Sequence, residues 1–138
     1  MLVPLDGSEL ADEALDHALE TFDCRVSVLN VVTPIDGAMS EGAGLGTDRE
    51  RLEAADERAT ELVGAARDRA ESADRTVETV VESGDPAETI LAYVDAHDVD
   101  HVVMGSHGDD GSAIARRLLG TVATAVVGEA PVPVTVVR

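Results

Sequence analysis

The segment GSHGDDGSAIARRLLGT, residues 105–121, has glycines placed where a phosphate group could be held. Gly105 and Gly108 would let the backbone approach a ligand closely and adopt unusual dihedral angles, so that their N–H groups could point at anionic oxygens. Gly120 and Thr121 begin a predicted helix, and the unpaired N–H groups and dipole at a helix start favour a phosphate. Thr121 could cap this helix or offer its hydroxyl to the same ligand.

The familiar nucleotide-binding motifs are not present. A Walker loop requires a lysine, which this chain does not contain, and the dinucleotide fingerprint G-x-G-x-x-G is absent. By mechanism alone, a plain turn from a strand into a helix explains the three glycines about as well as a phosphate site does. His107, between two of these glycines, either touches a phosphate or is an exposed turn residue.

Other chemistries have less support from the sequence. Ser106 and Ser112 have no histidine and carboxylate that the sequence places beside them, which argues against a hydrolase triad. The histidines show no paired spacing with Cys24, so no zinc site is predicted. A phosphorelay receiver domain would need a lysine near its end, and no lysine is present.

The charge of the chain restricts its partners. It has 28 acidic residues against ten basic ones, and its formal net charge is -18. Direct binding to nucleic acid or to an anionic membrane is excluded, because both require a basic patch. All the basic residues are arginines, and the absence of lysine favours a halophilic protein from a salt-rich cytoplasm over an ordinary acidic bacterial protein. We expect such a protein to unfold at low salt.

The length and the cysteine content predict one cytoplasmic domain. The 138 residues fit a single domain, 1–138, with a core of Val, Leu, Ile and Ala, since the chain has one Phe, one Tyr and no Trp. Cys24 is the only cysteine, so no internal disulfide can form. The sequence has neither a recognisable leader nor an apolar run long enough to span a membrane.

Hydrophobic periodicity predicts strands and helices in strict alternation. The predicted strands are 1–6, 25–32, 76–82, 101–105 and 132–138, and the predicted helices are 8–22, 48–73, 83–97 and 122–130. This order is typical of an α/β fold with a mostly parallel sheet and helices on both faces. The glycine-rich segment 34–47 is predicted to be a loop that is either functional or disordered.

Two helix starts carry capping signals. For the first helix, either Asp6 forms a capping box with Glu9 or Ser8 is the cap. For the third helix, Asp85 suits the N-cap and Pro86 the first helical position. In open α/β sheets, ligands lie beyond the carboxyl ends of the strands where the strand order reverses. If the first and fourth strands are neighbours, Asp6 and Gly105 face each other across one crevice.

Three segments together resemble the universal stress protein (UspA-like) family over nearly the whole chain. They are LVPLDGSELADEALDHAL, GDPAETILAYVDAHDVDHVVMGSHG and LLGTVATAVVGEAPVPVTVVR, and the last is the most specific. The resemblance implies an open, Rossmann-like, five-stranded parallel sheet of order 3-2-1-4-5 with helices on both faces. It also implies a homodimer that acts in stress response and binds ATP with Mg²⁺.

The resemblance also implies a site, residue by residue. The adenine and ribose would be lined by Pro4, Leu5 and Asp6, and the adenine would also contact Val31. The ribose and phosphates would be held by Gly105, Gly108, Gly120 and Thr121, with Met104 and Val122 beside them. The chain departs from the family's spacing, since eleven residues rather than nine separate the second glycine from the third. The intervening loop opens with Asp109-Asp110, which would repel phosphate, and Arg116-Arg117 could offset this repulsion.

The last predicted strand, 132–138, is apolar and almost uncharged, which invites pairing with another chain if it lies at the sheet edge. A homodimer joined there is one hypothesis, and a strand covered by its own helices is the other.

For function, the leading interpretation is an adenine-nucleotide-binding homodimer with at most slow ATP hydrolysis. The alternative is a dimeric stress-response interaction module that binds no nucleotide. An enzyme is least supported, because no nucleophile, base and orienting group can be named.

Overall fold

A computed structural model of the chain describes residues 1–33, 48–108 and 118–138. Its elements are β1 Leu2–Pro4, α1 Glu9–Thr21, β2 Val26–Val32, α2 Asp48–Ser72, β3 Val77–Ser83, α3 Pro86–Ala96, β4 Val102–Gly105, α4 Thr121–Glu129 and β5 Val134–Val137. The predicted alternation is confirmed, with boundaries displaced by a few residues. The predicted loop 34–47 lies outside the described residues. Within the described ranges, no helix is both long enough and apolar enough to cross a membrane.

The five strands form one parallel sheet of order β3-β2-β1-β4-β5, as the resemblance implied. β1 lies at the centre, where Val3 is in register with Val28 of β2 and Leu2 with Val102 of β4. The chain first builds the sheet outwards through β2 and β3, and then returns to add β4 and β5 on the other side. The strand order therefore reverses between β1 and β4, where α/β sheets place their ligands.

Two apolar layers hold the helices against the sheet. Alternate strand residues point to opposite faces, so Val3 and Val103 pack against α1 and α2, whereas Leu2 and Val102 pack against α3 and α4. The buried face of α1 is mostly alanine (Ala11, Ala14 and Ala18), which lets this helix lie close to the strands. Helices on both faces of the sheet are thereby confirmed.

The caps settle the starts of two helices. Ser8 is the N-cap of α1, because its side-chain oxygen accepts a hydrogen bond from the N–H of Ala11 at 3.2 Å. At α3, Asp85 accepts from the N–H of Glu88 at 3.0 Å and Pro86 takes the first helical position, as predicted. Each cap satisfies a backbone donor that the helix itself leaves unpaired. Both helices begin at the carboxyl edge of the sheet and present their first turns to the same crevice.

Candidate functional site

A cavity of about 180 Å³ lies at the carboxyl ends of β1 and β4. The residues that the resemblance assigned to a binding site all line it: Pro4, Leu5, Asp6, Val31, Met104, Gly105, Gly108, Gly120, Thr121 and Val122. Ser8, Ala11, Leu29, Pro86, Ile90, His107 and Ala123 complete the lining. Of these additions, the sequence had singled out only His107 as a candidate contact. The other lining residues could have been expected from the fold, because helices that follow parallel strands begin at the same edge of the sheet, beside the crevice.

The backbone leaves the sheet at Leu5, and a buried asparagine fixes the point of departure. Leu5 donates its N–H to the carbonyl of Leu29 at 2.8 Å. Its own carbonyl accepts a hydrogen bond from Nδ2 of Asn30, also at 2.8 Å. Asn30 lies within β2 and is buried, so its side chain gives the Leu5 carbonyl a hydrogen-bond partner next to the cavity that Leu5 lines. The sequence suggested no role for Asn30.

The turn after β1 aims one oxygen of Asp6 at the glycine segment. Oδ1 of Asp6 accepts from the N–H of Ser8 at 2.9 Å, and Gly7 between them has φ +86°, a left-handed conformation that favours glycine. Oδ2 is directed towards Gly108, where a Cβ would stand only 3.1 Å away. Asp6 is therefore not the cap of α1. It is held by a local turn and has its second oxygen at the cavity.

Gly105 is required by packing. A Cβ at this position would lie 3.0 Å from Cβ of Leu10 and 3.1 Å from the Leu10 carbonyl carbon, so β4 and α1 could not approach as closely. The expected unusual dihedral angles at Gly105 and Gly108 are wrong. Among the described glycines, only Gly7 and Gly84 have positive φ. The reason is that Gly105 still pairs with Val137 in the parallel sheet and keeps an extended backbone.

Gly120 brings the start of α4 against the end of β4. Its N–H donates to the carbonyl of Ser106 at 2.6 Å, and a Cβ would lie 3.2 Å from Cα of His107. Gly120 is the N-cap residue of α4, so of the two roles considered for Thr121 the cap is wrong, because Thr121 already occupies the first helical position. The N–H groups of the first turn have no partner within the helix, and the first turn contains no acidic residue. This end of α4 favours an anion at the cavity.

The cavity lining is largely apolar and has few charged groups. Apolar surface suited to a flat aromatic ring is provided by Leu5, Val31 and Met104. Among the described lining residues, Asp6 and His107 are the only ionisable side chains. The described residues contain no cluster of three or more side chains that could hold a metal ion. Asp109-Asp110 and Arg116-Arg117, which the sequence singled out for their charges, lie outside the described residues.

A doubly wound parallel sheet, with a lined cavity at the point where its strand order reverses, defines a class of α/β ligand-binding domains. The family model described as "Universal stress protein family" matches residues 1–138 of the chain. The chain belongs to the universal stress protein family.

Known relatives agree with this assignment. The chain is similar to the universal stress protein MJ0531 of Methanocaldococcus jannaschii, with 32% identity over all of this chain and 81% of the relative. Its fold is similar to that of universal stress protein UspA from Lactobacillus plantarum, with a TM-score of 0.79 and 28% identity over 99% of this chain and 95% of that one.

Two further solved structures share the fold at lower identity. A universal stress protein in complex with cAMP has a TM-score of 0.68 and 23% identity, covering 99% of this chain and 94% of that one. A universal stress protein family protein from Arabidopsis thaliana with AMP bound has a TM-score of 0.69 and 17% identity, covering 99% and 88%.

Proposed function

We propose that this universal stress protein binds an adenine nucleotide in the cavity between β1 and β4 and that this binding is its part in a stress response. The observation that carries the proposal is the convergence of all the assigned site residues on one cavity. Val31 and Met104 would contact the base, Asp6 would accept from a ribose hydroxyl through Oδ2, and the first turn of α4 would receive the phosphate. Two relatives that share the fold and carry cAMP or AMP support the same ligand class.

ATP with Mg²⁺ is the ligand that we expect in the cell. In the described part of the cavity, Asp6 is the only carboxylate, so the magnesium ion would be held mainly by the phosphate oxygens and water. The protein would contribute binding and a conformational response, with hydrolysis slow at most. Asp6 and His107 are the only described lining groups that could accept a proton, and Asp6 is committed to the ribose in this proposal.

We also propose that two chains pair through β5 to form a homodimer in the cytoplasm. β5 hydrogen-bonds to β4 on one side and lies at the edge of the sheet. Its sequence from Val134 to Val137 has no charge and no proline, which are the usual protections of an exposed edge. The dimer would involve residues 132–138. A cytoplasmic site agrees with the single free cysteine, Cys24.

A second candidate function is a dimeric interaction module that binds no nucleotide. The packing of two glycines favours it, because Gly105 is explained by Leu10 and Gly120 by His107 without any ligand. Glycines at these positions are therefore not evidence for a phosphate by themselves. The two functions differ in whether the folded protein binds adenine nucleotide at all.

Calorimetric titration of ATP and AMP, with Mg²⁺ and high salt, tests the proposal. A variant at Gly120 would be uninformative, because the added side chain clashes with the backbone whether or not a ligand binds. Asp6→Ala is better, and we expect it to weaken binding by about tenfold or more, since a hydrogen bond to a charged group contributes about 1.5–3 kcal/mol. Asp68→Ala, which removes an exposed carboxylate of α2, is the matched control and should bind normally. No binding by the folded wild type would favour the interaction module.

A further inference from the structure

His107 has one ring nitrogen whose role is fixed by its neighbour. Nδ1 lies 2.6 Å from the carbonyl oxygen of Gly108. A carbonyl oxygen only accepts hydrogen bonds, so Nδ1 must carry the hydrogen. In the neutral ring, Nε2 is then an acceptor that would repel a phosphate oxygen. In the protonated ring, Nε2 becomes a donor with a positive charge. Because the Gly108 carbonyl keeps the hydrogen on Nδ1, protonation of the ring changes Nε2 from a hydrogen-bond acceptor into a donor.

The surroundings of His107 make its charge matter for an anion. Half-buried His107 lines the cavity together with Gly120 and Thr121, at the start of α4, where the N–H groups have no partner within the helix. Among the described lining residues, it is the only side chain that can become positive. Charged groups on the surrounding elements are Asp6 before α1, Glu9 and Asp12 in its first turn, Asp85 and Glu88 at the start of α3, and Arg138 after β5. Of these named groups only Arg138 is positive, and it does not line the cavity.

Resting on the proposed function, we propose that His107 determines how strongly the cavity prefers a phosphorylated ligand: the protonated ring binds the phosphate of an adenine nucleotide, and the neutral ring leaves adenosine as the better ligand. The preference therefore depends on whether the ring of His107 carries the second proton. The protein has a net charge of -18, which repels anions, and a positive charge on His107 would offset this repulsion at the phosphate.

The test compares cAMP with adenosine on the full chain in high salt. A phosphomonoester such as AMP changes its own charge near pH 6, whereas the phosphodiester of cAMP keeps one negative charge throughout. The ratio of the two dissociation constants therefore reports the protein alone. For the wild type, we expect cAMP to gain about threefold to tenfold over adenosine between about pH 8 and about pH 5.5, the size of one partly solvated ion pair.

Two variants isolate the ring. His107→Gln retains a polar side chain without a positive charge, and the ratio should lose its pH dependence. His107→Arg is charged at both pH values, and the preference for cAMP should stay high at both. His17→Gln is the matched control, because this half-buried histidine lies in α1 outside the cavity lining and its loss should leave the pH dependence intact. Circular dichroism at each pH verifies that every variant is folded.

The outcomes separate the inference from the function on which it rests. If the folded wild type binds neither ligand, the proposed nucleotide site is wrong. If it binds both ligands with a ratio that does not depend on pH, nucleotide binding stands and the role of His107 is overturned. Persistence of the full pH dependence in His107→Gln would also overturn it, because another group would then carry the effect.

Discussion

Asp6 and Gly108 meet in the lining of the cavity, where a Cβ on residue 108 would lie 3.1 Å from Oδ2 of Asp6. The two residues are far apart in sequence and come together because β1 and β4 are neighbours in the sheet. Oδ1 of Asp6 is held by the N–H of Ser8, so the carboxylate has limited freedom to move away. The absence of a side chain at residue 108 thus leaves Oδ2 room to face the cavity.

Replacement of Gly108 by alanine should weaken nucleotide binding and leave the fold intact. The added methyl group would displace the Asp6 carboxylate, and moving a side chain off its preferred rotamer costs about 0.5–1.5 kcal/mol. We expect a loss in AMP affinity of about threefold to tenfold, measured by calorimetry.

The matched control is Gly128→Ala, since a Cβ at this position of α4 would meet no atom within 4 Å. It should bind AMP normally and be slightly more stable, because alanine is the better helix former. A Gly108→Ala protein with unchanged affinity would mean that the position of Asp6 does not govern binding.

Alanine at Gly105 should destabilise the fold itself. Its methyl group would stand 3.0–3.1 Å from Leu10, including the backbone of α1, and overpacking of this kind costs about 1–3 kcal/mol. Urea unfolding at fixed high salt measures the loss. Gly64→Ala in α2, where a Cβ meets nothing within 4 Å, should instead keep or raise the free energy of unfolding. Equal stability of the two variants would refute the packing role assigned to Gly105.

The position of the crevice was predictable from the sequence, but the packing contacts and hydrogen bonds that shape it were not. Strict alternation of elements gives a parallel sheet, and the resemblance gave its order, which together placed Asp6 opposite the glycine segment. The roles of Gly105 and Gly120 depend on contacts with Leu10 and His107, which local sequence rules do not encode. The unusual dihedral angles predicted for Gly105 and Gly108 were wrong, since neither residue has positive φ. At Gly105 the missing side chain instead allows the close approach of α1.

Asn30, which lies within β2, is a second residue whose contacts could not be predicted from the local sequence. In the segment RVSVLNVV, the asparagine interrupts an apolar run without indicating its partner. Its hydrogen bond to the carbonyl of Leu5 joins the middle of β2 to the turn after β1. Such a pairing between distant segments becomes evident only once the register of the two strands is known.

Loss of the Asn30 amide should lower stability by leaving the Leu5 carbonyl unpaired. Asn30→Leu keeps the number and branching of the side-chain heavy atoms but removes the donor, and we expect it to cost about 1–3 kcal/mol in urea unfolding. Asn30→Asp should cost more at neutral pH, because a carboxylate would face a carbonyl oxygen in a buried place.

The two Asn30 variants should also differ in pH dependence. Burial raises the pKa of a carboxyl group, and the protonated form can donate to the carbonyl, so the deficit of Asn30→Asp relative to wild type should shrink as pH falls from about 7 to about 5. The deficit of Asn30→Leu should stay constant. Equal pH behaviour of both variants would contradict the role of the amide as a donor to Leu5.

Pairing through β5 should be abolished by proline at Val136. The N–H of Val102 donates to the carbonyl of Pro133 and that of Ser106 to Val137, so strand alternation directs the N–H of Val136 away from β4, towards a partner. Light scattering should give about twice 14.3 kDa for the wild type and about that mass for Val136→Pro. Val127→Ala, at an exposed position of α4, should remain dimeric. A dimeric Val136→Pro protein would place the interface elsewhere.

The stability of the protein should rise with salt concentration. A net charge of -18 on 138 residues produces self-repulsion in the folded state, and the Debye length falls from about 30 Å at 0.01 M to about 3 Å at 1 M salt. Arg69, which pairs with Asp12 and Asp16, joins α2 to α1, but these groups are substantially exposed, so their attraction is weak against the total repulsion. We expect the melting midpoint to rise by at least about 5 °C between those concentrations of NaCl. Sucrose stabilises by exclusion from the surface without screening charge, and it should not reproduce the steep rise at low ionic strength. A midpoint that is independent of NaCl would contradict the prediction, made from the sequence, of a protein from a salt-rich cytoplasm.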